Sequence, residues 1–184
     1  MSEDAGIPRS VTDQQLVTTA NGEELALGPL LIGESEQLFG LFAAVVAKGD
    51  GFPHRPPLTR DVFETVWVHA VSAVIGARAL SGAASGPLLG AYYLKPNFAG
   101  RAAHIANAGY VVAPASRGRG VGTALVEDSL WRAAAAGFDA LQFNLVFESN
   151  PARSLYERLG WREIGRIPEA VDGEQALIYW RKVT

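Results

Sequence analysis

Three glycines at alternate positions carry the clearest chemistry in this sequence. Val111-Val112-Ala113-Pro114-Ala115-Ser116 closes an apolar strand, and Arg117-Gly118-Arg119-Gly120-Val121-Gly122-Thr123 turns from it into a helix. Glycines permit positive φ and close backbone approach, so successive N–H groups can converge on one point. A helix N-terminus adds the positive end of its dipole, and the combination suits a phosphate or pyrophosphate. Arg117 and Arg119 strengthen that reading in a chain whose formal net charge is −3. Two other phosphate loops do not fit. Gly122 is followed by Thr123-Ala124 rather than by the lysine of a P-loop, and neither Gly118 nor Gly120 begins a Gly-x-Gly-x-x-Gly fingerprint.

Other polar groups stand in apolar surroundings. Asn107 and Asn144 interrupt runs that read as strands, where an unpaired amide is costly. Each can offer a carbonyl to an incoming amine and an NH2 to a carboxylate, or else satisfy a β-bulge or a neighbouring backbone group. Asn150-Pro151 has the form of a helix start, with Asn as N-cap and Pro as the first helical residue. His104 is either a base that titrates near neutrality or a strand residue with a satisfied imidazole. His54 and His69 are isolated and have no metal-ligand spacing, so no metal is expected.

The elements that position these groups follow from turn signals and periodicity. Two extended stretches between Gln15 and Leu31 flank Asn21-Gly22. A helix follows Ser35 on the spacing of Leu38, Phe39, Leu41, Phe42, Val45 and Val46, and Gly49-Asp50-Gly51 ends it. After a proline loop, Thr59 starts a short helix with Val62, Phe63, Val66 and Trp67 on its apolar face. Ser72 to Leu80, Pro87 to Lys95 and Ala102 to Val112 read as an antiparallel meander, with Ser81 to Gly86 as a turn. A helix from about Val121 to Ala136 directs Val121, Ala124, Leu125, Ser129, Ala133 and Ala136 inward, and Gly137 caps it. Ala140 to Phe147 is a strand, Asn150 to Leu159 a helix ended by Gly160, and Arg162 to Ile167 and Gln175 to Lys182 close the chain as strands. The expected fold is one α/β domain over residues 1–184, with a mixed sheet of about seven strands, about four helices and a frayed first ten residues.

Composition limits the function. At 184 residues and 48% hydrophobic, the chain can form a core without staples, since a domain this size buries roughly 70% of its unfolded surface. With no cysteine, disulfides, thiolate nucleophiles, Cys-ligated zinc and iron–sulfur clusters are excluded. Sixteen basic against 19 acidic side chains argue against general nucleic-acid binding. The longest apolar run, Leu38 to Ala47, contains Gly40 and is about half a membrane span. Met1-Ser2-Glu3-Asp4 offers no basic region ahead of an apolar one, so a cytoplasmic location is expected.

Arg117-x-x-Gly120-x-Gly122, after an apolar strand and opening a helix, resembles the acyl-CoA signature of the GNAT N-acetyltransferase superfamily. Asn150 to Trp161 resembles the superfamily's last CoA-contacting helix, with Trp161 where Phe or Tyr is usual. Together the motifs cover about half the chain. Tyr92 to Phe98, His104 to Gly109 and Phe143 to Asn150 resemble a narrower group, the yeast enzymes that N-acetylate the proline analogue L-azetidine-2-carboxylate. That likeness associates Asn107 and Asn144 with the acceptor and does not extend to the first seventy residues.

The resemblance implies acetyl-CoA as co-substrate, a homodimer, and a sheet that splays between the strand at Val111 and the one at Ala140. Backbone from Arg117 to Thr123 (Arg117, Gly118, Arg119, Gly120, Val121, Gly122 and Thr123) would hold the pyrophosphate. The pantetheine arm would pair with backbone near Val111 and Val112, and one N–H there would polarise the thioester carbonyl. Tyr156 matches the superfamily's general acid, whose hydroxyl faces the CoA sulfur; a half-buried helix residue is the alternative. Asn150 could touch CoA as well as cap its helix. Arg153 could meet the 3′-phosphate, with Arg158 read as a solvated surface group. No carboxylate is placed as a base, so the acceptor would lose its proton through water or react as its small neutral fraction. The implied function is acetyl transfer to a small amine such as an amino or imino acid; a protein N-terminus or lysine, and a non-catalytic acyl-CoA binding module, are the alternatives.

Overall fold

The sheet is organised around a strand buried on both faces. In the computed structural model, which describes residues 12–49, 51–69, 71–81 and 84–183, β4 (Ala84–Pro96) turns Leu89, Tyr92 and Leu94 into one core and Leu88, Ala91 and Tyr93 into another. The first core takes its helical side from α3 (Val121–Ala135) and α4 (Arg153–Arg158). The second is closed by α1 (Ser35–Lys48) and α2 (Arg60–Trp67), which contribute Leu38, Phe42, Val46, Phe63 and Trp67. Helices on both sheet faces explain why the central strands read as continuous apolar runs rather than alternating ones.

The remaining strands are β1 (Gln15–Thr18), β2 (Glu24–Pro29), β3 (Ala73–Ser81), β5 (Ile105–Val112), β6 (Ala140–Phe147), β7 (Arg162–Val171) and β8 (Glu174–Lys182). Their order in the sheet is β1-β2-β3-β4-β5-β6-β8-β7, eight strands among the described residues where about seven are expected. All neighbours are antiparallel except β5 and β6. That parallel pair holds only the rungs Ile105↔Ala140 and Ala106↔Leu141 before the strands separate. The expected splay is there.

Several expectations need correction. Gly100–Ala102 forms a 3-10 turn and β5 begins only at Ile105, so exposed His104 lies in the turn before the strand, its Nδ1 3.0 Å from the carbonyl of Arg101. The apolar composition of residues 102–106 gave no sign of that turn. β7 runs on to Val171 past Pro168, because an edge strand with a break in register between Ile167 and Val171 tolerates a residue lacking an N–H. β3 and β4 extend to the pair Ser81↔Ala84, shortening the expected turn, of which Gly82 and Ala83 lie outside the described residues, as does Asp50 at the end of α1. On α3, Ala136 is exposed, whereas Asp128 and Arg132 turn inward as a buried ion pair at 2.8 Å. Tyr92 donates to the same Asp128 oxygen at 2.7 Å, and Arg132 also reaches the carbonyl of Asp13 at 3.0 Å, which lets charge sit in an apolar face.

A second buried pair fixes α1. Glu34 receives two N–H groups of Arg78 and the N–H of Leu31, and Arg78 also donates to the Pro29 carbonyl at 2.8 Å. Burial alone pushes the Glu34 carboxyl up, but the Arg78 and Leu31 hydrogen bonds and the Arg78 charge outweigh it and hold the carboxyl below its ordinary value. α2 begins as the sequence implies, with Thr59 accepting from the Val62 N–H at 3.3 Å.

Candidate active site

Asn107 marks the point where the sheet opens. It follows the last β5–β6 rung, and its Nδ2 donates to the Gln142 carbonyl at 2.9 Å. The side chain thus supplies one more link between strands whose backbones have begun to diverge. Its Oδ1 accepts from the Tyr93 hydroxyl at 3.2 Å, and burial pushes that phenol up to about 12. Gly109 makes room for the arrangement: a Cβ there would lie 2.6 to 2.8 Å from the Tyr93 ring and hydroxyl. Beyond the fork, a cavity of about 1000 Å³ runs between Val111 and Val112 of β5 and Phe143 to Val146 of β6. β6 itself is irregular there, with a register shift against β8 between Phe143 and Val146.

One end of the cavity lies on the face covered by α3 and α4. Arg117, Gly118, Gly120, Gly122 and Thr123 line it, followed by Asn150, Pro151, Ser154, Leu155, Tyr156 and Arg158. Gly118 (φ +75°) and Gly120 (φ +89°) adopt the left-handed conformation that the turn requires. Val121, Gly122 and Thr123 form the first turn of α3, where N–H groups have no intrahelical acceptor. The β1–β2 turn braces this loop from below. A Cβ on Gly120 would stand 2.7 Å from Thr19 Cβ, Asn21 donates to the Gly118 carbonyl at 3.0 Å, and Glu23 pairs with Arg119. No local signal in the sequence connects residues a hundred positions apart.

Tyr156 is buried, with its ring 4.8 Å from Phe143 and 6.0 Å from Tyr179, and it lines the cavity. Burial, with a smaller contribution from Tyr179, raises its hydroxyl pKa far above the ordinary phenol value. The group stays protonated at any physiological pH. Trp161 stacks on Phe143 at 3.8 Å and supports the same wall.

The sequence-predicted cofactor residues divide. Val111, Val112, Arg117, Gly118, Gly120, Gly122, Thr123, Asn150 and Tyr156 line the cavity; Val121, Arg119 and Arg153 do not. Val121 is buried in the core, Arg119 is tied to Glu23, and Arg153 donates to the Glu148 carbonyl at 2.8 Å and the Tyr179 hydroxyl at 3.4 Å. Arg158 is exposed, as expected of a solvated surface arginine, and is also the one of the two that lines the cavity. Asn150 accepts from the Ala152 N–H at 2.9 Å, but regular helix begins only at Arg153, so Asn150 and Pro151 form a turn ahead of it.

The other end of the cavity opens on the face covered by α1 and α2. Tyr93, Lys95, Asn97, Asn107 and Asn144 form its floor, and Phe52, Pro53, His54, Thr65 and Val66 overhang it. Asn97 and Asn144 exchange carboxamide hydrogen bonds at 3.0 and 2.5 Å, and Gln142 donates to Asn144 at 2.9 Å. His54 packs edge-on against Phe42 at 5.7 Å, its Nδ1 is buried without a hydrogen bond, and burial lowers its pKa. Phe52, His54, Lys95 and Asn97 were missed because loop residues and lone polar groups carry no periodic signal. Among the described residues the cavity lining contains no Asp or Glu. No group of three His, Asp or Glu able to hold a metal occurs among them either, and no helix is long and apolar enough to cross a membrane.

Comparison with known proteins gives this geometry a family. The acetyltransferase (GNAT) domain model matches residues 64–163. N-acetyltransferase aca1 of Schizosaccharomyces pombe is 44% identical over 84 residues, which span 45% of this chain and 40% of that protein. A GCN5-related N-acetyltransferase from Kribbella flavida superimposes with a TM-score of 0.78 at 31% identity, covering 86% of this chain and 97% of the other. The phosphinothricin acetyltransferase of Sinorhizobium meliloti, solved in complex with AcCoA, shares the fold at a TM-score of 0.71 and 17% identity, over 90% of this chain and 89% of its own. With a family model across more than half its length and a relative matched almost end to end, the chain belongs to the GNAT acetyltransferase family.

Proposed function

We propose that this protein transfers an acetyl group from acetyl-CoA directly to the amine of a small molecule. The observation that carries the reading is the single cavity joining the glycine turn on one sheet face to the amide-lined chamber on the other, through the fork at Asn107. That the Sinorhizobium protein was solved in complex with AcCoA supports acetyl-CoA as the co-substrate, and the glycine turn is the part of the cavity suited to its phosphates. Backbone N–H groups from Gly118 to Thr123 take the pyrophosphate at the start of α3. The pantetheine arm lies along Val111 and Val112, which lack β6 partners beyond the fork. A backbone N–H near Val112 polarises the thioester carbonyl, a contribution on the order of 3 kcal/mol to an acyl-transfer barrier.

The neutral amine nitrogen attacks the carbonyl carbon, the C–S bond breaks, Tyr156 supplies a proton to the departing sulfur, and the acylated nitrogen releases its extra proton, which restores the Tyr156 hydroxyl through water. The attacking ammonium first loses a proton to water or to neutral His54, the one titratable base in the overhang. Asn107 and Asn144 orient the acceptor at the fork, with one amide hydrogen each left over after their protein contacts. The narrower likeness to the azetidine-2-carboxylate enzymes points to an amino or imino acid as acceptor.

The test is acetyl-CoA-dependent thiol release with azetidine-2-carboxylate, proline, common amino acids, polyamines, aminoglycosides and short peptides. The chain has no cysteine, so the protein adds no thiol background. Release with a small amine supports the reading. Tight CoA binding without release from any of these refutes it.

A further inference from the structure

The acceptor chamber has an unusual charge balance for a pocket that must receive an amine. Its lining holds no Asp or Glu among the described residues, so no anionic side chain in it complements an ammonium group. It does hold a lysine. Lys95 is half-buried on β4, paired in register with Asn107, and directed to the same face as Tyr93. Its ammonium sits 5.0 Å from the centre of the Tyr93 ring, and no carboxylate forms an ion pair with it among the described residues. Burial lowers the His54 pKa and so favours its neutral form, and the other lining cations, Arg117 and Arg158, belong to the glycine turn and α4 at the opposite end. Lys95 is therefore the charge that an acceptor meets.

The surrounding polar groups match that charge in kind. Asn97 and Asn144 hold each other's carboxamides in place, and Gln142 fixes Asn144 from the third side. Each Asn keeps one amide hydrogen beyond this ring, as does Asn107. A cation flanked by fixed N–H donors is a receptor for a carboxylate, and charge-assisted hydrogen bonds of this type are the strong ones.

Resting on the transferase reading above, we propose that Lys95, with the Asn97–Asn144 amide pair, binds the carboxylate of the acceptor and so selects α-amino or α-imino acids. Lys95 stands one ladder rung across from the residue that closes the fork, which is where the acetyl group must emerge. An acceptor held this way carries its amine and carboxylate close together, as an α-amino or α-imino acid does. The same lysine repels acceptors with extra positive charge, such as polyamines, and acceptors in which the carboxylate is blocked.

The test compares a carboxylate acceptor with its neutral relatives: proline with prolinamide and pyrrolidine, and azetidine-2-carboxylate with azetidine. The wild-type protein is expected to favour the acid over its amide by roughly 10- to 100-fold in kcat/KM, the range of one or two charge-assisted hydrogen bonds. Lys95→Met keeps the apolar stem and is expected to raise KM for the acid by a similar factor, abolish its advantage over the amide and leave KM for acetyl-CoA at the wild-type value. Lys95→Arg is expected to recover part of the preference, and unchanged thermal midpoints show that the variants fold. Equal use of acid, amide and simple amine by the wild type, or an equal loss toward all three in Lys95→Met, overturns the inference and leaves the transferase reading standing. CoA binding without turnover of any acceptor overturns the transferase reading, and this inference with it.

Discussion

Gly122→Ala separates a glycine kept for the fold from one kept for a ligand. Gly122 is the second residue of α3, its φ is not positive, and the nearest atom to an added Cβ is Val112 Cγ2 at 3.8 Å, ordinary contact distance. The fold therefore accepts alanine, and its better helix propensity stabilises the protein by up to about 1 kcal/mol. The cavity side is different, because Gly122 lines the wall on which the proposed reading sets the cofactor phosphates against backbone N–H groups. A methyl group there holds the phosphate away from one donor, and a hydrogen bond to a charged group contributes roughly 1.5–3 kcal/mol. The expected result is CoA affinity lower by about 10- to 150-fold, with a thermal midpoint equal to or above wild type. Gly120→Ala is the contrasting variant. It forces a positive φ on alanine, about 1–2 kcal/mol, and drives Cβ to 2.7 Å from Thr19, so it lowers both stability and affinity. Titration calorimetry with CoA and a thermal melt read both effects. Unchanged CoA affinity in a well-folded Gly122→Ala protein would refute the phosphate-loop argument.

Three further outcomes follow from the same structure. Tyr156→Phe should lower kcat by about 10²- to 10⁴-fold with little change in KM for acetyl-CoA, the usual range for lost proton donation; because burial raises that phenol, the wild-type rate should not fall through its ionisation as pH rises to about 10 in a pH–rate profile. Asn107→Ala leaves the Gln142 carbonyl and the Tyr93 hydroxyl without their partner, so denaturant melts should show a loss of about 1–3 kcal/mol together with weaker acceptor binding. Burial lowers the His54 pKa, so the unfolded chain takes up this proton first: the neutral-His contribution to stability is complete above about pH 6.5 and declines as pH falls below it. His54→Asn should flatten that part of the stability–pH curve measured by urea melts, and an unchanged slope would count against the burial argument.

The parts legible in the sequence were those with local causes. The glycine turn, the β3–β4–β5 meander, the Thr59 cap and strand 140–147 each carry their own spacing or capping residue, and each sits within a few residues of its expected place. The parts that were not legible depend on contacts distant in sequence. Asp128 and Arg132 look like solvent-facing helix charges until Tyr92 and the backbone of Asp13 are brought to them by the fold. Arg153 and Arg158 are about 1.4 turns apart on the same short helix, and only the packing of β8 decides that Arg153 turns to Tyr179 while Arg158 reaches the cavity. Asn107 and Asn144 read as amides that need partners, and those partners, Gln142, Tyr93 and Asn97, are distant in sequence or carry no signal of the pairing. The overhang from Phe52 to Val66 belongs to a stretch with no family motif, which is why the acceptor chamber was the least visible part of the site.

Direct transfer through the fork is the central claim, and two-substrate initial-rate kinetics tests it most directly. With acetyl-CoA and the best acceptor varied together, and the intact protein mass followed in parallel, the account predicts intersecting double-reciprocal lines and a protein that never carries an acetyl group. Under the proposed mechanism both substrates occupy the one cavity at once, from opposite faces of the sheet. Parallel lines with an acetylated protein intermediate, the signature of a covalent relay, would contradict it.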